Sequence, residues 1–275
     1  MRTKMNQKSG FTLVELAIVL VIIGLIVGGV LVGQDLIKAA QVRAAVGQLD
    51  KFDAAVNAFR GKYNGLPGDL PNCTNFFPTA ECTTGGTNVA GNSSLEDFSG
   101  GKVLLSGEVV SFWKHMYNAG YIGDAITATT AISANAAITA GAVINNFPAS
   151  KIGSGTSFLA YTVSSADVFY SGFSGANAYR LIGISSTSAA AVPTFTNGLT
   201  PLEALQIDTK KDDGVPNSGV VQASNDLTHF NLVTDVATAG TATTDCLAAA
   251  ATYNTATANN GQNNRNCNVL VRGSF

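Results

Sequence analysis

Residues 11–33, FTLVELAIVLVIIGLIVGGVLVG, form an apolar run broken by a single charge, Glu15. A helix rising 1.5 Å per residue needs about 20 apolar residues to cross the hydrocarbon of a bilayer, so this run is long enough for one span. Residues 1–10 carry Arg2, Lys4 and Lys8 and no acid. Basic flanks stay on the cytoplasmic side, so the C-terminal end of the helix is expected to point outward. A secretory signal has a shorter apolar core followed by a small-residue cleavage site, and neither feature is present. Glu15 also sets the run apart from an ordinary anchor. A carboxylate in the apolar zone costs roughly 2.5–3.5 kcal/mol on insertion scales, which calls for a partner and a function.

The residues Gly10, Phe11, Thr12, Leu13, Val14 and Glu15 resemble the processing and methylation signal of type IV prepilins and type II secretion pseudopilins. The resemblance extends over the first 55 residues or so. It implies that a membrane prepilin peptidase cuts between Gly10 and Phe11 and methylates the new amine of Phe11. It implies that Glu15 pairs with that amine on a neighbouring subunit and so sets register during assembly. It also implies other pilin or pseudopilin subunits and an inner-membrane assembly platform as partners. The location it implies is single-pass in the inner membrane, with the C-terminal domain outside the cytoplasm.

The helix is not expected to stop at the membrane. Ile37, Ala40, Ala44, Val46, Leu49, Phe52, Val56, Phe59 and Tyr63 recur mostly at spacings of three or four, which is one helical face. Gly65 and Pro67 end it. From Phe11 to Tyr63 such a helix would be roughly 80 Å long. Its first half is apolar all round, and its second half has one stripe that needs a domain to lean on. Gly24, Gly28, Gly29 and Gly33 form small-xxx-small pairs, which allow close helix approach in lipid. Many type IV pilins carry a proline in this region; here there is none, so any local unwinding would rest on the glycines.

Residues 64–107 are rich in turn formers. Their LPGDLPN phrase resembles a stretch that follows the long helix in a subgroup of prepilin-like proteins, and Phe76 and Phe77 are expected to tuck this connection onto the domain. Residues 107–120 read as a short helix with Val109, Phe112, Trp113, Met116 and Ala119 on one face and Gly120 at its C-terminal cap. An aromatic face of this kind packs more readily than it binds, because it supplies a large buried area. His115 is expected at the solvent edge. Residues 124–150 lack steady periodicity and are expected to be poorly ordered. Strands are expected at 157–163, 178–185, 219–223 and 268–271, paired antiparallel because βαβ spacing is missing. Thr200, Pro201 and Glu203 have the pattern of a helix start.

The expected fold is therefore α+β: a leader over 1–10, a long N-terminal helix over 11–63 with its span at 11–33, and an exported β-rich domain over 64–275 packed on that helix. Four cysteines, Cys73, Cys82, Cys246 and Cys267, allow three pairings. Export makes disulfides plausible, and proximity favours Cys73–Cys82 and Cys246–Cys267. Zinc has little support, because no C-x2-C pair exists and His115 and His229 stand alone. The segment after the capped helix gathers Asp208, Asp212 and Asp213 around a turn glycine. Such an oxygen-rich loop can hold calcium, which takes six to eight oxygen ligands; a solvated Asp-Gly turn is the alternative. Major pseudopilins bind calcium in a loop of their globular domain, so the resemblance allows the same here.

The net charge of −2 and the 12% charged residues give no argument for a nucleic-acid partner. No nucleophile elbow, P-loop or zinc-protease motif is present, and adjacent Asp212 and Asp213 in a turn are poor acid–base geometry. The resulting expectation is a non-enzymatic structural subunit of a pilus or secretion pseudopilus. The alternative is a minor pilin whose head binds DNA, a host surface or a secretion substrate.

Overall fold

The structure, a computed structural model, describes residues 12–82, 90–95, 98–99, 102–103, 107–126, 146–153, 155–163, 173–185, 194–224, 246–249, 252–255 and 264–275. Gly10, Phe11, His229 and residues 127–145, where poor order is expected, lie outside these. The chain divides into two units, residues 1–40 and 41–275. One helix, α1 (Leu13–Tyr63), runs from the first into the second.

In the second unit α1 buries Val42, Ala45, Leu49, Phe52, Val56 and Phe59. The stripe differs from the sequence pattern at its start. Ile37, Ala40 and Ala44 are exposed, while Val42 and Ala45 are buried. Alanine is apolar but small, so periodicity alone does not say which alanine turns inward; the larger Leu49, Phe52, Val56 and Phe59 keep the expected face.

The described residues form a two-stranded ribbon, β1 (Phe98–Ser99) and β2 (Lys102–Val103), followed by α2 (Gly107–Asn118). The main sheet then begins with β3 (Thr156–Thr162), β4 (Asn177–Ser185) and β5 (Thr194–Thr196). Helix α3 (Pro201–Lys211) precedes β6 (Val221–Ser224). A second small ribbon, β7 (Leu247–Ala249) with β8 (Thr252–Tyr253), comes before the last strand, β9 (Asn268–Arg272). The sheet order is β3-β4-β9-β6, with β5 also paired to β4, and every pairing is antiparallel. The expected strands are present with ends shifted by a residue or two, together with short ribbons that sequence periodicity does not reveal.

Register places Phe158 opposite Leu181, Ala160 opposite Tyr179, Tyr179 opposite Val271 and Val271 opposite Val221, so these residues share one face. The ring of Phe52 from α1 meets this face edge-on at Phe158, with centroids 5.3 Å apart, and meets Trp113 of α2 at 4.9 Å. The opposite face, including Leu159, Tyr161, Arg180, Ile182 and Leu270, is buried as well. Arg180 is accommodated there by donating to the Asn268 Oδ1 at 2.9 Å and the Tyr161 hydroxyl at 3.3 Å, as a buried charge requires. Where β5 meets β4, Gly183 and Gly198 approach closely. A Cβ on Gly183 would lie 2.5 Å from Thr196 Oγ1 and 3.2 Å from Gly198 Cα, so a side chain there would push β5 off the sheet.

Helix α3 starts as expected. The Thr200 hydroxyl accepts from the Glu203 N–H at 3.2 Å, and the Glu203 carboxylate accepts from the Thr200 N–H at 2.9 Å, with Pro201 at the first turn.

Candidate functional sites: an assembly helix, a loop lock and an acidic loop

The first site is the start of α1. Thr12 and Glu15 close a reciprocal cap. The Glu15 Oε2 accepts from the Thr12 N–H at 2.8 Å and from the Thr12 hydroxyl at 2.8 Å, while the Glu15 N–H donates to Thr12 Oγ1 at 3.3 Å. Glu15 therefore satisfies the Thr12 N–H, and Thr12 the Glu15 N–H, backbone donors that an apolar surrounding would leave bare. Beyond it, Leu13, Val14, Leu16 and the large apolar residues from Ile18 to Ile37 are all exposed. By length and composition this helix can cross a membrane. Gly24, Gly28, Gly29 and Gly33 have open space where a Cβ would stand, yet α1 is helical through all four.

The second site lies at the far end of α1, and periodicity does not reveal it. His115 is fully buried, contrary to its expected place at the solvent edge. It sits one position from Lys114 on a helix whose first ten residues are all buried, so the amphipathic pattern misjudged how completely this helix is covered. Its Nδ1 accepts from the Gly68 N–H at 2.9 Å and its Nε2 donates to the Glu81 carbonyl at 3.0 Å. The ring stacks on Phe77 at 4.3 Å, and its Nε2 lies 3.6 Å from Cys73 Sγ. Desolvation lowers the His115 pKa to about 4, so the imidazole is neutral at ordinary pH. Gly68 has a φ of +86°, and a Cβ there would sit 2.5 Å from the Glu108 carbonyl oxygen, so the close approach needs glycine.

Around this histidine the 64–82 connection is tied down. Cys73 and Cys82 form a disulfide, as do Cys246 and Cys267. Phe77 is buried, but Phe76 is 52% exposed, so only one of the two expected phenylalanines tucks in. Asp69 of the LPGDLPN phrase is also buried, and its carboxylate accepts from the Gly91 and Ser93 N–H groups, the latter at 2.7 Å. The phrase is thus a set of anchor points, and an acid between two Leu-Pro or Pro-Gly turns was the one sequence signal for it.

The third site is the loop after α3. Ligand atoms of Asp208, Asp212 and Asp213 lie within 4.8 Å of one another, at the C-terminal end of a helix, where the dipole is already negative. Asp208 is buried and accepts from the Tyr253 hydroxyl at 2.7 Å and the Gly214 N–H at 3.1 Å. Burial pushes its carboxyl above the usual range, while those two donors pull it back. Asp213 accepts from the Ser218 hydroxyl at 2.7 Å and the Val215 N–H at 2.8 Å, and both hold its carboxyl below the usual range. Asp212 accepts from the Val220 and Val221 N–H groups. In charge and spacing the three carboxylates fit a hard cation with oxygen ligands, and the loop's own donors also satisfy each of them.

With the geometry in view, the class of the N-terminal region follows. Residues 5–31 match the family model described as the prokaryotic N-terminal methylation motif, which is the signature of type IV prepilins and pseudopilins. The long helix with its apolar span, followed by a C-terminal antiparallel sheet, is the α+β, pilin-like arrangement. The motif implies a processed subunit that assembles with other pilin-type subunits in a filament. Comparison with curated proteins and with solved structures yields no significant match.

Proposed function

We propose that the chain is a structural subunit of a type IV pilus or a type II secretion pseudopilus, cut between Gly10 and Phe11 and N-methylated on Phe11. The leader over 1–10 then leaves, and the head follows the helix outside the cytoplasm. The observation that supports this most is the pairing of the methylation motif over residues 5–31 with a helix whose large apolar side chains from Leu13 to Ile37 are all exposed. Such a surface is stable in lipid or against other copies of itself, and exchange of the first for the second drives assembly. Glu15 fixes axial register by accepting the Phe11 amine of a neighbour, in place of or beside its Thr12 donors.

Intact mass of the protein from cells with an active processing peptidase tests the first step. The expected species begins at methylated Phe11; retention of residues 1–10 overturns it. Glu15→Ala tests the second: sheared filaments are expected to disappear while the membrane-bound subunit remains. We further propose that Asp208, Asp212 and Asp213 hold calcium and stiffen the loop before β6. At a calcium concentration a hundredfold above its dissociation constant, linkage raises stability by about 2.7 kcal/mol. Thermal unfolding with calcium and with chelator measures this, and identical curves for the natural chain and Asp213→Ala refute it.

A further inference from the structure

The two disulfides stand in different surroundings. Cys246 and Cys267 are fully buried, whereas Cys73 and Cys82 remain 8% and 6% exposed. The sulfurs of the Cys73–Cys82 bridge also differ from each other. The Gly68 N–H donates to His115 Nδ1 at 2.9 Å, so the neutral ring carries its proton on Nε2. That N–H donates to the Glu81 carbonyl at 3.0 Å, and its nitrogen lies 3.6 Å from Cys73 Sγ. Cys82 Sγ has no such donor among the described residues; its polar neighbour is the Phe77 carbonyl oxygen at 3.9 Å. An N–H donor lowers the energy of an adjacent thiolate, and a carbonyl oxygen raises it. If the bridge opens, negative charge is therefore better held on Cys73 than on Cys82.

We infer that Cys73–Cys82 is a thiol-exchange site, at which the thiolate of a small external thiol attacks Cys82 and expels Cys73. The incoming sulfur bonds to Cys82 Sγ as the Cys73–Cys82 bond breaks. The bonding electron pair leaves on Cys73 Sγ, where the His115 N–H donates to it. A second molecule of the thiol then attacks the small sulfur carried by Cys82. That step releases the Cys82 thiolate and the disulfide of the small thiol, so two thiols are oxidised as one bridge is reduced. Run backwards, the same path closes the bridge, with Cys73 as the thiolate that resolves a mixed disulfide on Cys82. The bridge joins residues nine apart, and between them lies Phe77, which stacks on His115 at 4.3 Å. Exchange at this site therefore loosens the connection that the histidine holds, while the buried Cys246–Cys267 bridge stays closed.

The test uses the full oxidised chain in detergent, treated with reduced glutathione, quenched in acid, alkylated and digested for peptide mass. Glutathione is expected on Cys82 and the alkyl group on Cys73, with Cys246–Cys267 still joined when most of the first bridge has opened. Attachment chiefly to Cys73 overturns the inference. So does opening of both bridges together, or of neither under conditions that open both in the chain unfolded by urea. His115→Phe keeps a flat ring against Phe77 and removes the N–H. It is expected to slow opening several-fold and to even out attachment between the two sulfurs. A ring that only packed the connection would, on replacement, loosen it and speed the reaction, so an unchanged or faster rate overturns the inference as well. If His115→Phe does not fold, the attachment site in the natural chain decides alone.

Discussion

The two halves of α1 share a backbone and differ in what covers them. From Leu13 to Ile37 most residues are large and apolar, with Glu15, Gln34 and Asp35 the polar exceptions, and all of the large apolar side chains are exposed. From Val42 to Phe59 one residue in three is apolar and buried, and the rest of the surface carries Arg43, Asp50, Lys51 and Asn57. The first half has no inside, because any face of it is equally suited to lipid or to another helix. The second has one inside, made of Phe158, Trp113 and Tyr179. A helix can thus be written for two solvents by changing only how many of its faces are apolar.

The sharpest way to break that comparison is a pair of truncations. Phe52→Ala removes a ring in contact with three others and is expected to cost about 3–5 kcal/mol in unfolding of the detergent-solubilised chain. Ile26→Ala, at an equally apolar but exposed site, is expected to change head stability by less than about 0.5 kcal/mol. Equal losses in chemical denaturation would show that the halves are not distinct.

Covalent ties come next, and both lie in the second unit. Their sequence separations are 21 for Cys246–Cys267 and 9 for Cys73–Cys82. In the chain-entropy model reduction costs about 3.3 and about 2.6 kcal/mol respectively. Paired Cys→Ser variants measured by thermal unfolding give the order; a larger loss at the shorter loop would mean that His115 and Phe77 depend on that bridge.

His115 provides a pH-dependent handle. Its folded pKa is about 4 against an ordinary 6.5, so the unfolded chain binds the extra proton first. Stability from this group is complete above pH 6.5 and is lost as the pH falls from 6.5 to about 4. The loss is roughly 3 kcal/mol, because the charged ring must give up the Gly68 N–H and accept burial. Subtracting the stability curve of His115→Gln from that of the natural chain isolates it, free of the opposite trend from Asp208. A flat difference over that window refutes the neutral-ring lock. Smallest of all is Asp50→Asn, which breaks the partly exposed Lys211 pair and is expected to cost under about 1 kcal/mol.

Much of this was legible beforehand for a physical reason. A membrane span, a capping box and antiparallel strands are local patterns: the Thr200–Glu203 cap needs four residues, and the 11–33 run needs only its own composition. The same locality made the methylation motif readable from Gly10 to Glu15. The misjudged residues depend on distant partners. His115 looked peripheral because its acceptor and donor, Glu81 and Gly68, lie 34 and 47 positions away. Phe76 and Phe77 are identical in type, yet only the second finds His115 to stack on.

The amino-acid sequence by itself determined where apolar surface is continuous, where a helix begins and ends, and that one acid stands within the greasy stretch, because each of these follows from neighbours along the chain. Tertiary structure decided which alanines of α1 turn inward, that His115 loses its water, and which large hydrophobic side chains among the described residues of the head stay outside. Those outcomes depend on what packs across from each side chain, and no pattern along one strand or helix carries that information.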